Sequence, residues 1–164
     1  MRSMYCTLDI EASGFGRHSY PIEVGYVRDD GQAWCTLIRP LPEWTHWDEA
    51  AARMHGISRD ALLLHGRTPS TVARALNQGL GGRTVYCDGW AHDYTWLGAL
   101  FEAAGFPPSF KLESVQRLLD DRHLPALDPA LQRLRASGLQ QRHRASSDAR
   151  VLQQALDVVL QTRV

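Results

Sequence analysis

The sequence has almost no lysine and no excess of charge of either sign. Lys111 is its only lysine, so arginine supplies the other 17 of the 18 basic residues, and 18 acidic residues balance them. A net charge of zero excludes a polybasic protein that coats nucleic acid through charge alone, and it excludes an acidic disordered tail. It leaves room for a local charged site.

Cysteine and long apolar runs are also scarce. Cys6, Cys35 and Cys87 are odd in number and have no C-x-x-C spacing, which argues against a disulfide framework or a zinc site. Each lies in or beside an apolar run and is expected to act as a small hydrophobic residue. No run approaches the roughly 18 apolar residues of a membrane span, and no signal-peptide core precedes Asp9. The sequence therefore predicts a cytoplasmic protein with no membrane association.

What the sequence does contain is the pattern of an α/β protein. Its 164 residues, 44% of them hydrophobic, suffice for a buried core, so we expect a single domain over residues 1–164. Apolar runs predict strands at residues 4–10, 21–27, 33–39, 83–87 and 110–113. Periodicity and caps predict helices at residues 47–54, 58–64, 69–79, 92–104, 114–120, 128–138 and 145–161. This order indicates an antiparallel meander that continues into a mixed sheet with helices packed on it.

The first unusual feature is a pair of carboxylates at the end of the first predicted strand. Asp9 and Glu11 are two positions apart, so their side chains project from the same face, about 7 Å apart along the strand. Burying like charges side by side is costly without a compensating partner. A divalent cation would be such a partner, because Mg²⁺ favours carboxylate oxygens. A strand that ends in solvent is the ordinary alternative.

Two further acids and one histidine occupy comparable positions. Asp148 continues the apolar stripe of the last helix, although the helix dipole also favours an acid in the first turn. Asp93 follows the fourth strand, where helix capping is the ordinary explanation, and Asp88 is nearby. His143 lies in a polar stretch just before the helix that carries Asp148.

Together these residues supply the ligands for two metal ions and a general base. If the strand order brings the acids to one edge of the sheet, four carboxylates can hold two divalent cations, Mg²⁺ or Mn²⁺. Two ions about 3.5–4 Å apart suit an in-line phosphoryl displacement. An imidazole with a pKa near 6.5 suits deprotonation of the attacking water, which is the role open to His143.

Two motifs resemble those of the DEDD 3′→5′ exonucleases of the histidine subgroup (DEDDh), which have the ribonuclease H-like fold. Residues 8–15 (LDIEASGF) are similar to the D-x-E-x-x-G start of that family, and residues 143–149 (HRASSDA) are similar to its H-x-A-x-x-D-A motif. Residues 54–58 (MHGIS), followed by Thr68-Pro69, resemble the segment between its first and second motifs. The resemblance spans residues 8–149.

The second motif departs from the family pattern. Members of the family often have an asparagine a few residues before the acid, whereas here residues 85–93 read VYCDGWAHD, with Asp88 in the amide region. Asp93 fits the acid position better because an apolar helix follows it. Asp88 is the other candidate for the second-motif acid.

The resemblance implies a five-stranded α/β sheet, a reaction, and a role for each site residue. Asp9, Glu11 and Asp148 would hold one divalent cation, Asp9 and Asp93 a second, and His143 would be the general base. The implied reaction is the hydrolysis of phosphodiester bonds at the 3′ end of single-stranded DNA or RNA, with release of nucleoside 5′-monophosphates. Monomer and homodimer are both compatible with the sequence.

Substrate contacts are expected from an aromatic residue, a histidine and a group of arginines. The resemblance places Phe15, after the Gly14 turn, against the terminal base, where stacking contributes roughly 1–3 kcal/mol. His55 would lie near the 3′ end, and a purely structural role is the alternative for both side chains. Residues 111–164 carry 9 basic and 6 acidic side chains, against 9 and 12 in residues 1–110. The arginines that could guide a phosphate backbone are Arg133, Arg135, Arg142 and Arg144.

Two other functions use the same features differently. A protein of this fold that binds 3′ ends without catalysis would be expected to lack part of the acid set, whereas every position can be filled here. A metal-dependent phosphodiesterase that acts on small dinucleotides would need a short, closed cleft.

Overall fold

The computed structural model describes residues 3–138 and 144–161. These residues form five strands and six α-helices, with one short 3₁₀ helix at Val115–Arg117. The strands are β1 (Cys6–Ala12), β2 (Pro21–Val27), β3 (Ala33–Leu37), β4 (Thr84–Cys87) and β5 (Lys111–Ser114). The α-helices are α1 (Glu49–His55), α2 (Arg59–His65), α3 (Pro69–Leu80), α4 (Trp90–Ala104), α5 (Leu124–Ala136) and α6 (Ala145–Gln161).

The strands make one mixed sheet in the order β3-β2-β1-β4-β5. The pairs β1–β2 and β2–β3 are antiparallel, which confirms the predicted meander, and Asp29-Asp30-Gly31 lies at the turn between β2 and β3. The pairs β1–β4 and β4–β5 are parallel. Because β1 and β4 run in the same direction side by side, their carboxyl ends meet at one edge of the sheet. The predicted five-stranded α/β architecture is confirmed.

The helices cover both faces of the sheet. On one face, Leu8 and Ile10 of β1 lie in a core with side chains of α3 and α4, including Leu76 and Leu100. On the other face, α5 and α6 pack on each other through a second core that includes Leu127, Leu131, Leu152 and Leu156. The alternation of a strand therefore sends even-numbered residues of β1 toward α3 and α4, and odd-numbered residues toward α6. Thr7 marks the second face, since its hydroxyl donates to the Ala149 carbonyl at 2.7 Å.

Three predicted elements were placed wrongly. The helix expected at residues 114–120 is only the 3₁₀ turn Val115–Arg117, because β5 continues to Ser114. α5 begins at Leu124 rather than at Asp128-Pro129, since Pro125 occupies the first turn and Pro129 lies inside the helix. β1 is shifted two residues along the chain from the expected 4–10, so it carries Glu11 as well as Asp9. Both of these carboxylates are therefore on one regular strand.

The three cysteines differ in burial. Cys6 and Cys87 are buried as expected, but Cys35 on the edge strand β3 is exposed, so its apolar surroundings in sequence did not indicate burial. The described helices include none with the length and apolarity needed to cross a bilayer.

Candidate metal centre

The site is built on the carboxyl end of β1. Asp9 and Glu11 share the α6-facing side of this strand, and both are partly buried. Their neighbours on β2 are Gly25, opposite Asp9, and Glu23, opposite Glu11. The predicted same-face arrangement of the acid pair is thus present in the structure, and both side chains are partly buried rather than fully hydrated.

The next strand of the sheet supplies two more acids. Asp88 follows β4 directly and is exposed, whereas Asp93 lies in the first turn of α4 and is 3% exposed. Helix capping does not explain Asp93, because Gly89 occupies the N-cap position. The parallel pairing of β1 with β4 brings both acids toward Asp9.

A glycine allows the last helix to approach the acid pair. A Cβ atom at Gly25 would lie 2.4 Å from the Ser146 backbone nitrogen and 2.7 Å from the Ala145 carbonyl carbon, closer than real Cβ contacts. Only a residue without a side chain therefore lets the start of α6 lie against β2 beside Asp9. This close packing places Asp148, in the first turn of α6, next to the acids of β1.

A buried carboxylate that the sequence analysis missed fixes the same helix end. The Glu23 side chain is 1% exposed and accepts hydrogen bonds from Arg144, with Nη2 to Oε2 at 2.6 Å and Nε to the two oxygens at 3.0 and 3.2 Å. It also accepts from the Ala145 backbone N–H at 2.7 Å, which satisfies one of the unpaired donors at the start of α6. The sequence feature that could have revealed Glu23 is its place in the middle of the apolar strand 21–27, since a buried charge requires a partner.

The carboxylates form two groups that share Asp9. Ligand oxygens of Asp9, Glu11 and Asp148 lie within 4.8 Å of one another, and so do those of Asp9, Asp88 and Asp93. Asp9 Oδ2 and Asp93 Oδ2 are buried and find no hydrogen-bond partner within residues 3–138 and 144–161. Buried carboxylate oxygens without donors are unfavourable, and divalent cations such as Mg²⁺ take oxygen ligands of this kind. The residues present therefore fit a divalent-cation site.

Burial, and then repulsion between neighbouring acids, raises the pKa values of Asp9, Glu11 and Asp93. Burial, followed by repulsion from Asp148 and Glu23, raises the pKa of Glu11 to about 8. Burial and then the charge of Asp93 raise the pKa of Asp9 well above its usual value. Burial and then Asp88 raise the pKa of Asp93, against a lowering hydrogen bond from the Cys87 thiol. With pKa values raised in this way, the acids are not all ionised at neutral pH unless a nearby positive charge lowers those values.

A cleft of about 720 Å³ opens over these acids. One wall is aromatic: Phe15, 62% exposed, meets the His92 ring edge-on at 5.2 Å, and His92 stacks on Trp96 at 5.5 Å. His55 also lines the cleft, and its Nδ1 accepts from the Ile57 N–H at 3.1 Å, so a neutral ring carries its proton on Nε2.

The other sequence-predicted residues have different positions. Gly14 lines the cleft at φ +153°, and a Cβ there would lie 2.7 Å from Asp48 Cβ, so the turn before Phe15 requires glycine. Arg144 is bound to Glu23 and is not among the cleft residues. His143 and Arg142 lie outside the described residues.

Comparison with known proteins gives matches of fold only. The sequence matches no protein-family model and no curated protein sequence. A moderately thermophilic exonuclease I from Methylocaldum szegediense aligns with a TM-score of 0.77 and 16% identity, over 97% of this chain and 40% of that one. The zinc-bound E. coli exonuclease I complex with single-stranded DNA aligns at 0.76 and 15%, over 99% and 41%. The E. coli exonuclease I complex with a dA16 oligonucleotide aligns at 0.75 and 14%, over 96% and 41%.

The chain thus spans about two fifths of the length of the exonuclease I structures that it matches. The alignment covers almost all of the present chain, including the sheet that carries the acids and the helices that flank it. The chain therefore has the fold of the part of exonuclease I with which it aligns, with a cluster of carboxylates at the carboxyl ends of β1 and β4.

Proposed function

We propose that the chain is a metal-dependent 3′→5′ exonuclease that releases nucleoside 5′-monophosphates from single-stranded nucleic acid. The observation that carries this proposal is the position of Asp9 as the shared member of two carboxylate groups in one cleft. Two adjacent oxygen-ligand sites are what a two-cation phosphodiesterase needs. The fold of exonuclease I, which was solved in complex with single-stranded DNA, supports the choice of substrate.

The proposed roles follow the elements that present each side chain. Asp9, Glu11 and Asp148 hold one divalent cation, Mg²⁺ or Mn²⁺, and Asp9 and Asp93 hold the second. When bound, the cations stabilise negative charge at the phosphate and lower the pKa of the attacking water. His143 accepts the proton of that water, a role that rests on the resemblance of residues 143–149 to the third family motif.

Positioning of the 3′ end is assigned to the aromatic wall of the cleft. The exposed Phe15 ring offers a face on which the terminal base can stack, and Gly14 holds the turn that presents it. His55 lines the same cleft, where the family resemblance places a residue near the 3′ end. Each contact would hold the terminal nucleotide in register with the carboxylate cluster.

A labelled-strand assay tests the proposal. A single strand labelled at its 3′-terminal nucleotide should yield labelled mononucleotide with Mg²⁺ or Mn²⁺, and the reaction should stop when a chelator is added. Parallel DNA, RNA and duplex substrates define the preference. His143→Ala should lower turnover strongly and leave thermal unfolding unchanged.

Binding measurements and a graded series of strand lengths distinguish this proposal from the other two functions. Binding of 3′ ends with no product at any metal tested would favour a catalytically inactive binding module. Cleavage of dinucleotides with no cleavage of longer strands in a graded length series would favour a dinucleotide phosphodiesterase. Labelled products longer than a mononucleotide at early times would contradict exonucleolytic attack from the 3′ end.

A further inference from the structure

The described lining of the cleft is strongly acidic and includes one arginine. Its acidic lining residues are Asp9, Glu11, Asp48, Asp88, Asp93 and Asp148. Arg135 of α5 is the only arginine or lysine that lines it among the residues described by the structure. The acids repel a polyanionic strand that enters such a cleft, and among the described lining residues Arg135 carries the fixed positive charge that opposes this repulsion.

Arg135 lies beside the carboxylate cluster and is weakly held there. Its Nη2 is 3.9 Å from Asp88 Oδ2, and the two side chains are 39% and 37% exposed. A solvated ion pair of this length contributes little to stability, so the guanidinium can exchange its partner at small cost. Asp88 in turn has an oxygen within 4.8 Å of oxygens of Asp9 and Asp93. Only the Asp88 carboxylate therefore separates Arg135 from Asp9, the acid that the two carboxylate groups share.

The structure separates the four arginines that the sequence grouped together. Arg144 is bound to a fully buried Glu23 at 2.6 Å, and releasing it would leave that carboxylate buried and unpaired. Arg133 is on the same helix as Arg135 but is not among the cleft residues, and Arg142 lies outside the described residues. Of the three arginines of this group that lie in the described part of the chain, Arg135 is the one that combines access to the cleft with a partner that it can leave.

We propose that Arg135 binds a backbone phosphate of the single-stranded substrate, exchanging Asp88 for the phosphate as the strand enters the cleft. The planar guanidinium presents two parallel N–H donors, which match phosphate oxygens better than an ammonium does. The identity of the ligand rests on the proposed nuclease function, whereas the predicted binding of a phosphate at this side chain can be measured without catalysis.

The test compares Arg135→Gln with a matched control, Arg133→Gln, which removes the same charge from the same helix outside the cleft. Binding of a 5′-fluorescein deoxythymidine oligonucleotide is followed by anisotropy over a series of salt concentrations in the presence of chelator. Without divalent cations to neutralise the acids, the contribution of Arg135 is largest. Arg135→Gln should raise Kd about tenfold, the effect of losing one charge-assisted hydrogen-bonded contact. It should also reduce the slope of log K against log salt by about 0.7, as for one lost phosphate contact on a single strand.

A kinetic arm separates binding from folding. With Mg²⁺, Arg135→Gln should raise KM much more than it lowers kcat, because the contact holds the strand and takes no part in proton transfer. Thermal unfolding of both variants should match the wild type, since the Arg135–Asp88 pair is exposed.

Several outcomes would overturn the proposal. An unchanged Kd and salt slope in Arg135→Gln, or the same change in Arg133→Gln, would show that Arg135 makes no specific phosphate contact. A wild-type protein that binds no oligonucleotide would overturn it as well. A wild-type protein that binds the strand through Arg135 but releases no nucleotide with any metal would leave this inference standing and contradict the nuclease function instead.

Discussion

At the scale of single residues, the two acids after β4 differ in environment. Asp93 is buried with an oxygen that has no hydrogen-bond donor in the described part of the chain, whereas Asp88 is exposed and paired with Arg135. Both have a carboxylate oxygen within 4.8 Å of an Asp9 oxygen. The sequence left open which of the two is the second-motif acid. Because they differ in burial, substitution of each by asparagine can distinguish them.

Asp93→Asn should be the more damaging substitution. A buried ligand oxygen cannot be replaced by water, so we expect Asp93→Asn to lower metal-dependent activity by at least about 100-fold. Asp88→Asn keeps the size of the side chain at a solvated position and should cost less than about tenfold. Rates of mononucleotide release at saturating Mg²⁺ measure both. The reverse ranking would assign Asp88 as the second-motif acid.

At the scale of secondary-structure elements, the site depends on where α6 begins. Two residues of β2 determine this: Gly25, through the absence of a side chain, and Glu23, through its bonds to Arg144 and Ala145. Neither residue contacts substrate in the proposed mechanism. Both would act by placing Asp148 beside Asp9 and Glu11.

Gly25→Ala should displace the start of α6. The added Cβ would lie 2.4 Å from the Ser146 nitrogen, so the backbone must shift, at a cost of about 1–3 kcal/mol in the free energy of unfolding. Activity should fall with it because Asp148 moves with the helix. Gly98→Ala is the matched control: this site in α4 has open space around a Cβ, and alanine there should stabilise by about 0.5–1 kcal/mol. Urea unfolding measures both, and equal effects would contradict the steric argument.

Glu23→Gln should destabilise the protein through its partner. The amide loses the ion pair with Arg144 and part of the hydrogen bonding at a fully buried position, which costs about 1–3 kcal/mol. The double variant Glu23→Gln/Arg144→Gln should be destabilised by less than the sum of the single variants, because neither side chain then retains an unpaired charge. Additive losses in urea unfolding would show that the two side chains stabilise α6 independently.

At the scale of the whole molecule, folding brings like charges together, and this repulsion lowers the stability of the folded protein. Bound cations should remove that loss of stability. The pKa of Glu11 is about 8 in the folded protein against 4.5 for an ordinary glutamate, and the pKa values of Asp9 and Asp93 are also raised. At pH values between the ordinary pKa of each acid and its raised pKa in the folded protein, the folded state binds more protons than the unfolded state. The stability of the metal-free protein should therefore fall as the pH rises from about 5 to about 8.

Metal should remove this dependence. Mn²⁺ or Mg²⁺ binds the ionised acids, so it should raise the melting temperature most at the higher pH and release protons on binding at neutral pH. Thermal unfolding with metal and with chelator at pH 5.5 and 8 measures the first effect, and calorimetry in buffers of different ionisation enthalpy measures the second. A metal-free stability that rises with pH over this range would contradict the assigned pKa shifts. Glu11→Gln should flatten the pH dependence.

The sequence by itself determined the strands, most helices and the acid pair. The strands followed from short apolar runs, and the same-face placement of Asp9 and Glu11 followed from the two-residue period of a strand. These features are local, since they depend on neighbours within a few positions. The boundaries of α5 were wrong for a local reason too, because Pro125 and Pro129 both fit a helix start.

Only the tertiary structure decided which distant residues meet. The parallel pairing of β1 with β4 brings Asp88 and Asp93 to Asp9, and the bare Gly25 backbone lets Asp148 reach the same place. The tertiary structure also distinguished two arginines that look alike in sequence, since Arg144 is bound to Glu23 whereas Arg135 lines the cleft. Strand order and helix packing come from contacts between segments far apart in the chain. No local pattern specifies those contacts, so the sequence supplied the chemical groups and the fold brought them into one site.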